Sequence, residues 1–416
     1  MARRLHVHAR AHHRRRHVPD PEEHHRRARA RDAARAARVI DFGLSDDQQA
    51  LQRAAREFLA AECPPSLVRD TAKQPDGVPR ALYAKMVELG WMGLAVPEAQ
   101  NGLGLDTLAL ALVLEELGRV AAPGPFLSTQ LVIAALVRAG TVAQRREWLG
   151  RLLSGQAFGS LAYLEESDRH DPAGIALRAR RTRGGYALTG SKLFVLDAPG
   201  ADLFLVAART RPGSGAAGVS LFLVARETAG VRVRPEETID LTRRVGELTL
   251  RDVTLPATAL LGGEGKGWRL LERLLDLGAI GIAADSLGGA ERALAMAVEY
   301  SKTREQFGRK IGSFQALKHM AAEMVAEVEP ARSLVWYAAY AFDHRPREHA
   351  RAASVAKARL GDVYARTARR AVEMHGGIGF TWEHDLHLWF KRARWNRVAF
   401  GDPDHHRERL ATIDRY

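Results

Sequence analysis

The chain has 416 residues, 46% of them hydrophobic, with a net charge of +13 and one cysteine, Cys63. That length and apolar content support two or three domains with a sizeable core and exclude global disorder. A lone cysteine excludes an intramolecular disulfide and fits a reducing, cytoplasmic setting, and no uncharged apolar run is long enough to span a bilayer.

The charge is uneven. Residues 1–38 hold 12 arginines, four acidic residues and seven histidines, a net +8, which leaves +5 for the body. The segment has almost no large apolar residues, so it reads as a basic disordered tail. Three readings stay open. Translation starts near Asp41-Phe42-Gly43-Leu44-Ser45, or the segment is a solvated tail, or, least favoured, it binds nucleic acid or an anionic membrane.

Residues 39–157 read as all helix. Ser45 and Gln48 form a capping-box pattern. Leu51, Ala54, Ala55, Phe58 and Leu59 then recur at helical spacing until Pro64-Pro65. A second helix is expected over about Arg80 to Leu89, stopping at Gly90. A third runs from a Thr107 cap to Gly118, and one or two more lie between Leu127 and Leu153. From about Phe158 the texture changes to short alternating runs, such as Leu203 to Val206 and Val219 to Val224, punctuated by turns such as Gly184-Gly185. Residues 158–262 therefore read as a β domain. Residues 263–416 return to long helices, about Trp268 to Arg304, Ser313 to Arg345, Glu348 to His375 and Glu383 to Ala399, the pattern of a bundle. The pairs His12-His13, His24-His25 and His405-His406 offer no metal-ligand frame, and no metal is expected.

Two C-terminal stretches carry a resemblance. Tyr300-Ser301-Lys302-Thr303-Arg304-Glu305-Gln306-Phe307-Gly308-Arg309-Lys310-Ile311-Gly312, with Ser313-Phe314-Gln315-Ala316, is followed by Glu373-Met374-His375-Gly376-Gly377-Ile378-Gly379-Phe380. Together with Glu115-Glu116-Leu117-Gly118-Arg119 and Leu188-Thr189-Gly190-Ser191-Lys192, in helix–sheet–helix order, the chain resembles acyl-CoA dehydrogenases. The resemblance implies a mainly α fold: an N-terminal helical domain, a β-barrel or sandwich middle domain and a C-terminal four-helix bundle, assembled as a tetramer. It implies FAD as cofactor, an acyl-CoA thioester as substrate, and electron transfer to an electron-transfer flavoprotein. Nucleic acid is not an expected partner. It also implies that Arg304, Phe307, Gln315, Gly376 and Gly377 hold the ADP half of a neighbouring subunit's FAD. A guanidinium pairs with a diphosphate through charge-assisted bonds, and residues without a Cβ let backbone N–H groups approach phosphate.

The chain departs from the pattern at the reacting centre. The two positions where the family places its proton-abstracting carboxylate fall on Phe400 and near Gly278. Asp402 is the nearest substitute, with Asp276 and Asp285 close to the second position. In the β domain, Leu164 and Glu166 stand where the family has Thr and Pro, and Leu196 stands where a Thr bonds the flavin edge. Phe194 keeps a ring able to stack on the flavin. The resemblance therefore implies one half of a heteromeric enzyme, completing the FAD site of a catalytic paralogue. The alternatives are an active homotetramer with Asp402 as base and a non-catalytic CoA-ester binder.

Overall fold

A computed structural model describes residues 43–415; the basic segment 1–38 lies outside them. The first helix, α1 (Asp46–Glu62), opens with the reciprocal Ser45–Gln48 capping box and ends at Cys63, ahead of the two prolines. Short helices α2 (Pro65–Thr71) and α3 (Arg80–Glu88) follow, and Gly90 takes a left-handed φ of 75° where α3 stops.

The next helix, α4 (Thr107–Arg119), is capped by Asp106 rather than Thr107, since the Asp106 carboxylate accepts from Ala109 N–H. Gly118 lies inside α4 and does not end it. A Cβ there would sit 2.0 Å from the Asp285 carbonyl oxygen, so the residue serves close helix packing. Helix α5 (Phe126–Ala139) and a helical stretch α6, built from Val142–Gln144, a π turn at Arg145–Leu149 and Gly150–Leu153, complete this part.

The middle of the chain forms one eight-stranded sheet: β1 (Gly159–Ala162), β2 (Arg178–Thr182), β3 (Gly185–Leu196), β4 (Leu203–Arg209), β5 (Val219–Ala225), β6 (Val231–Glu236), β7 (Val245–Pro256) and β8 (Leu260–Leu261). The order is β6-β7-β3-β2-β4-β5-β8, with β1 parallel to β4. Strand β4 is buried throughout. Its alternating residues serve two cores. Leu203, Leu205 and Ala207 face the helices, while Phe204, Val206 and Ala208 face the sheet's own small core, as the period of two requires.

The C-terminal bundle is built on α7 (Gly267–Thr303), with α8 (Gln315–His344), α9 (His349–His375), α10 (Leu386–Val398) and α11 (Pro403–Asp414). A hairpin of β9 (Glu305–Gln306) and β10 (Arg309–Lys310) joins α7 to α8. α7 is glycine- and alanine-rich and buried over most of its middle. Glycine costs helix stability, about 1 kcal/mol per residue, and here it permits close approach. A Cβ on Gly288 would lie 1.7 Å from the Glu115 carbonyl oxygen in α4. No helix among the described residues is long and apolar enough to cross a membrane.

Candidate active site and cofactor contacts

A cleft of about 710 Å³ opens where the β domain meets the corner between α10 and α11, walled by Tyr163, Leu164, Phe194, Trp395 and Phe400. Phe194 sits in an irregularity between β3 and β7, where the register shifts between Lys192 and Val195. Its φ is 51° and its side chain is 61% exposed. A bulge re-aims a side chain in this way. Beneath it, the fully buried Lys192 donates to Glu165 at 2.6 Å and to the Tyr163 carbonyl at 3.1 Å. The Glu165 carboxylate also accepts from the Ala176 and Leu177 N–H groups. Burial pushes the Lys192 ammonium down to about 8 against the opposing pull of the Glu165 charge, and it is the hydrogen bonds from Lys192 and to Glu165 that tie β3 to the segment under the cleft.

Phe400 and Gly278, far apart in sequence, touch. A Cβ built on Gly278 would lie 2.5 Å from two carbons of the Phe400 ring. Phe400 takes a left-handed φ of 56°. Its carbonyl bonds His406 Nε2 at 3.0 Å, while buried Lys357 donates to the carbonyls of Gly401, at 2.6 Å, and Arg397, at 3.0 Å. The aromatic ring thus occupies the one place where both implied base positions meet.

The carboxylates nearby are engaged elsewhere. Asp402 borders the cleft, but its Oδ1 caps α11 by accepting from His405 N–H at 2.8 Å. Asp285 is wholly buried and bonded to Arg392, Arg243 and Asn396. Burial pushes its carboxyl up, and the Arg392 and Arg243 charges outweigh that and hold it below the ordinary value. Asp276 is buried with Arg409 and His349. The cleft contains two groups that sequence reasoning passed over. His170 Nδ1 is 3.1 Å from Tyr163 Oη, and its ring lies 4.7 Å from that of His405. Burial, then the His405 charge, pushes His170 down to about 4, and burial lowers His405 as well. Among the described residues no group of His, Cys, Asp and Glu is arranged to hold a metal.

The cleft fits an FAD diphosphate poorly. Asp168, Asp171, Glu237 and Asp402 border it, and the one guanidinium there, Arg169, is already paired with Asp171. Leu164 and Leu196 supply no hydrogen bond to a flavin edge.

A second group, none of it bordering the cleft, lies around the end of α7. Arg304 follows that helix in extended conformation, is exposed, and its side chain makes no hydrogen bond or ion pair among the described residues. Phe307, 91% exposed, and Gly308 form the hairpin turn with φ of 55° and 77°, the two positive values that a tight two-residue hairpin requires. Gln315 opens α8 and is exposed. Tyr300 stacks on His375 at 4.5 Å, which sets the end of α9 beside the end of α7. There Gly376 has φ 62° and ψ −139°, a backbone that side chains disfavour. A Cβ on Gly376 or Gly377 would meet no other atom within 4 Å. An unpaired guanidinium and open backbone have the chemistry to hold a diphosphate.

The sequence matches three consecutive family models: acyl-CoA dehydrogenase N-terminal domain over residues 45–156, middle domain over 160–253 and C-terminal domain over 265–413. An acyl-CoA dehydrogenase of Bacillus subtilis is 32% identical over 368 residues, covering 86% of this chain and 95% of that protein. The structure of butyryl-CoA dehydrogenase from Megasphaera elsdenii superposes with a TM-score of 0.84 at 30% identity, over 91% of this chain and 100% of that one. The ChsE4-ChsE5 complex from Mycobacterium tuberculosis contains a chain similar at a TM-score of 0.83 and 30% identity, over 90% of this chain and 99% of that one. Its architecture, its sequence over nearly all described residues and its structural neighbours agree: the chain belongs to the acyl-CoA dehydrogenase family, whose members are FAD-dependent oxidoreductases.

Proposed function

We propose that this chain is the FAD-completing, non-catalytic subunit of a heteromeric acyl-CoA dehydrogenase. The observation that carries the reading is the Phe400 ring packed on Gly278. A reaction that removes an α proton needs a base within reach of it, and neither residue has one. FAD, when bound, accepts the β hydrogen as hydride. This chain's part is to hold the cofactor's diphosphate through Arg304 and the backbone at Gly376 and Gly377, with Phe307 and Gln315 beside them, in a site whose base and flavin contacts come from a paralogue. A similar chain in the two-component ChsE4-ChsE5 complex supports such a partnership. Electrons then pass to an electron-transfer flavoprotein, and the setting is cytoplasmic.

Expression alone and with the paralogous partner tests this. The chain alone is expected to carry no FAD and to leave acyl-CoA unchanged, and the co-expressed pair to be yellow and active. One observation favours a second reading: Asp402 borders the cleft. If it were the base of an active homotetramer, Asp402→Asn would abolish turnover by the chain alone.

A further inference from the structure

A second cavity, of about 350 Å³, shares no lining residue with the cleft. It lies between α5, α7, the end of α8 and the loop before α4. Its volume falls within the range of small-molecule pockets, about 300–1,000 Å³. The wall is mostly apolar: Val96, Leu105, Leu110, Ile133, Val137 and Leu277. The loop side is fixed by backbone bonds from Leu103 to Gly93, Gly104 to Val96 and Leu105 to Leu94, each between 2.8 and 2.9 Å. Side chain and backbone leave no slack there, since a Cβ on Gly102 would lie 2.1 Å from the Val96 carbonyl oxygen.

The polar groups at this cavity are unevenly satisfied. Asp106 accepts from Ala109 N–H at 2.9 Å and Asp343 from Thr107 N–H at 2.7 Å, so both carboxylates have backbone partners. Arg138 borders the cavity, is exposed, and makes no hydrogen bond or ion pair among the described residues. Its guanidinium carbon stands 5.4 Å from the centre of the Phe342 ring. Arg273 approaches the same ring at 4.3 Å, donates to the Phe342 carbonyl at 2.7 Å, and keeps a buried Nε with no partner. Two guanidiniums therefore converge on one ring beside an apolar cavity. Burial and then the Arg273 charge push Arg138 below its ordinary value, and the Asp343 charge offsets only part of that.

We propose that this cavity binds a medium-chain aliphatic carboxylate, its chain along Ile133, Val137 and Leu277 and its head group on the Arg138 guanidinium. A carboxylate completes Arg138 with a charge-assisted, fork-like contact, and the chain removes apolar wall from water. The site does not rest on the cofactor reading, because its lining shares no residue with the cleft or with the Arg304 group.

Calorimetric titration of the full chain with hexanoate, octanoate and decanoate tests it. Affinity should rise about fourfold per methylene, the equivalent of about 0.8 kcal/mol per buried CH₂. Uncharged methyl octanoate should bind about tenfold or more weaker than octanoate, and so should octanoate to Arg138→Gln, while Arg138→Lys should recover part of the loss. Arg138 is exposed, so the variants should melt with the parent. Saturable binding with this chain-length series and this Arg138 dependence supports the site. Absence of saturable binding, or equal affinity for the ester or in Arg138→Gln, overturns it whatever the cofactor experiments show.

Discussion

Phe400 holds a left-handed backbone, φ 56°, which costs a residue with a Cβ roughly 1–2 kcal/mol. The cost is offset by the ring's seat on Gly278 and by bonds to the carbonyls of Phe400 and Gly401. Gly278→Ala should therefore destabilise the chain by about 1–3 kcal/mol, because the new methyl overlaps the ring. In a Phe400→Ala background the same substitution should become neutral or stabilising by up to about 1 kcal/mol, since alanine then only improves the helix. Urea denaturation of the four chains measures that change of sign; additive losses would mean the two residues do not meet. Asp402 gives a simpler expectation. Asp402→Ala should cost about 1 kcal/mol through loss of the α11 cap, and Asp402→Asn much less. Neither should lower turnover by the assembled enzyme, measured by steady-state assay.

At the scale of elements, Lys357 ties α9 to the corner between α10 and α11. Burial pushes its ammonium down to about 7, from about 10.4 in an unfolded chain. Between those values the unfolded chain binds more protons, so stability rises with pH. The gain is complete above about pH 10.4 and is lost as pH falls through about 7. Lys357→Met should lower stability overall and flatten that slope; an unchanged slope in denaturation curves from pH 6 to 10 would rule Lys357 out as its source.

Most elements were legible from their periodicity. The predicted span Trp268 to Arg304 differs from α7 by one residue at each end, because the run holds no proline and its glycines do not interrupt the apolar pattern. The α4 start was misplaced by one residue because Asp106 and Thr107 are both good caps, and only the side-chain bond to Ala109 decides between them. Gly118 looked like a stop because sequence alone does not show that α7 passes within touching distance. Helix α11 was not anticipated, since Pro403-Asp404-His405-His406-Arg407 is polar and has only a weak apolar face. At the site, the motif positions Phe400 and Gly278 were legible singly. Their contact, and the His170–His405 pair, were not, because each joins residues more than 100 positions apart.

On the scale of the whole molecule, the proposed function assigns different parts to two regions. The cleft has aromatic walls, four carboxylates and no base at the reacting position, while the end of α7 presents an unpaired arginine and open backbone. Arg304→Ala should leave the melting temperature of this chain unchanged, since the side chain is exposed and unpaired. It should weaken FAD retention by the assembled pair about tenfold or more, the worth of a charge-assisted bond to phosphate. Fluorescence of flavin released on dilution reports that loss.

The most direct measurement is flavin stoichiometry by visible spectrum, for this chain alone and for its complex with a catalytic paralogue. The account predicts no flavin absorbance from the chain alone and one FAD per pair in the complex. One FAD per chain in the isolated protein, with turnover of an acyl-CoA, would contradict it.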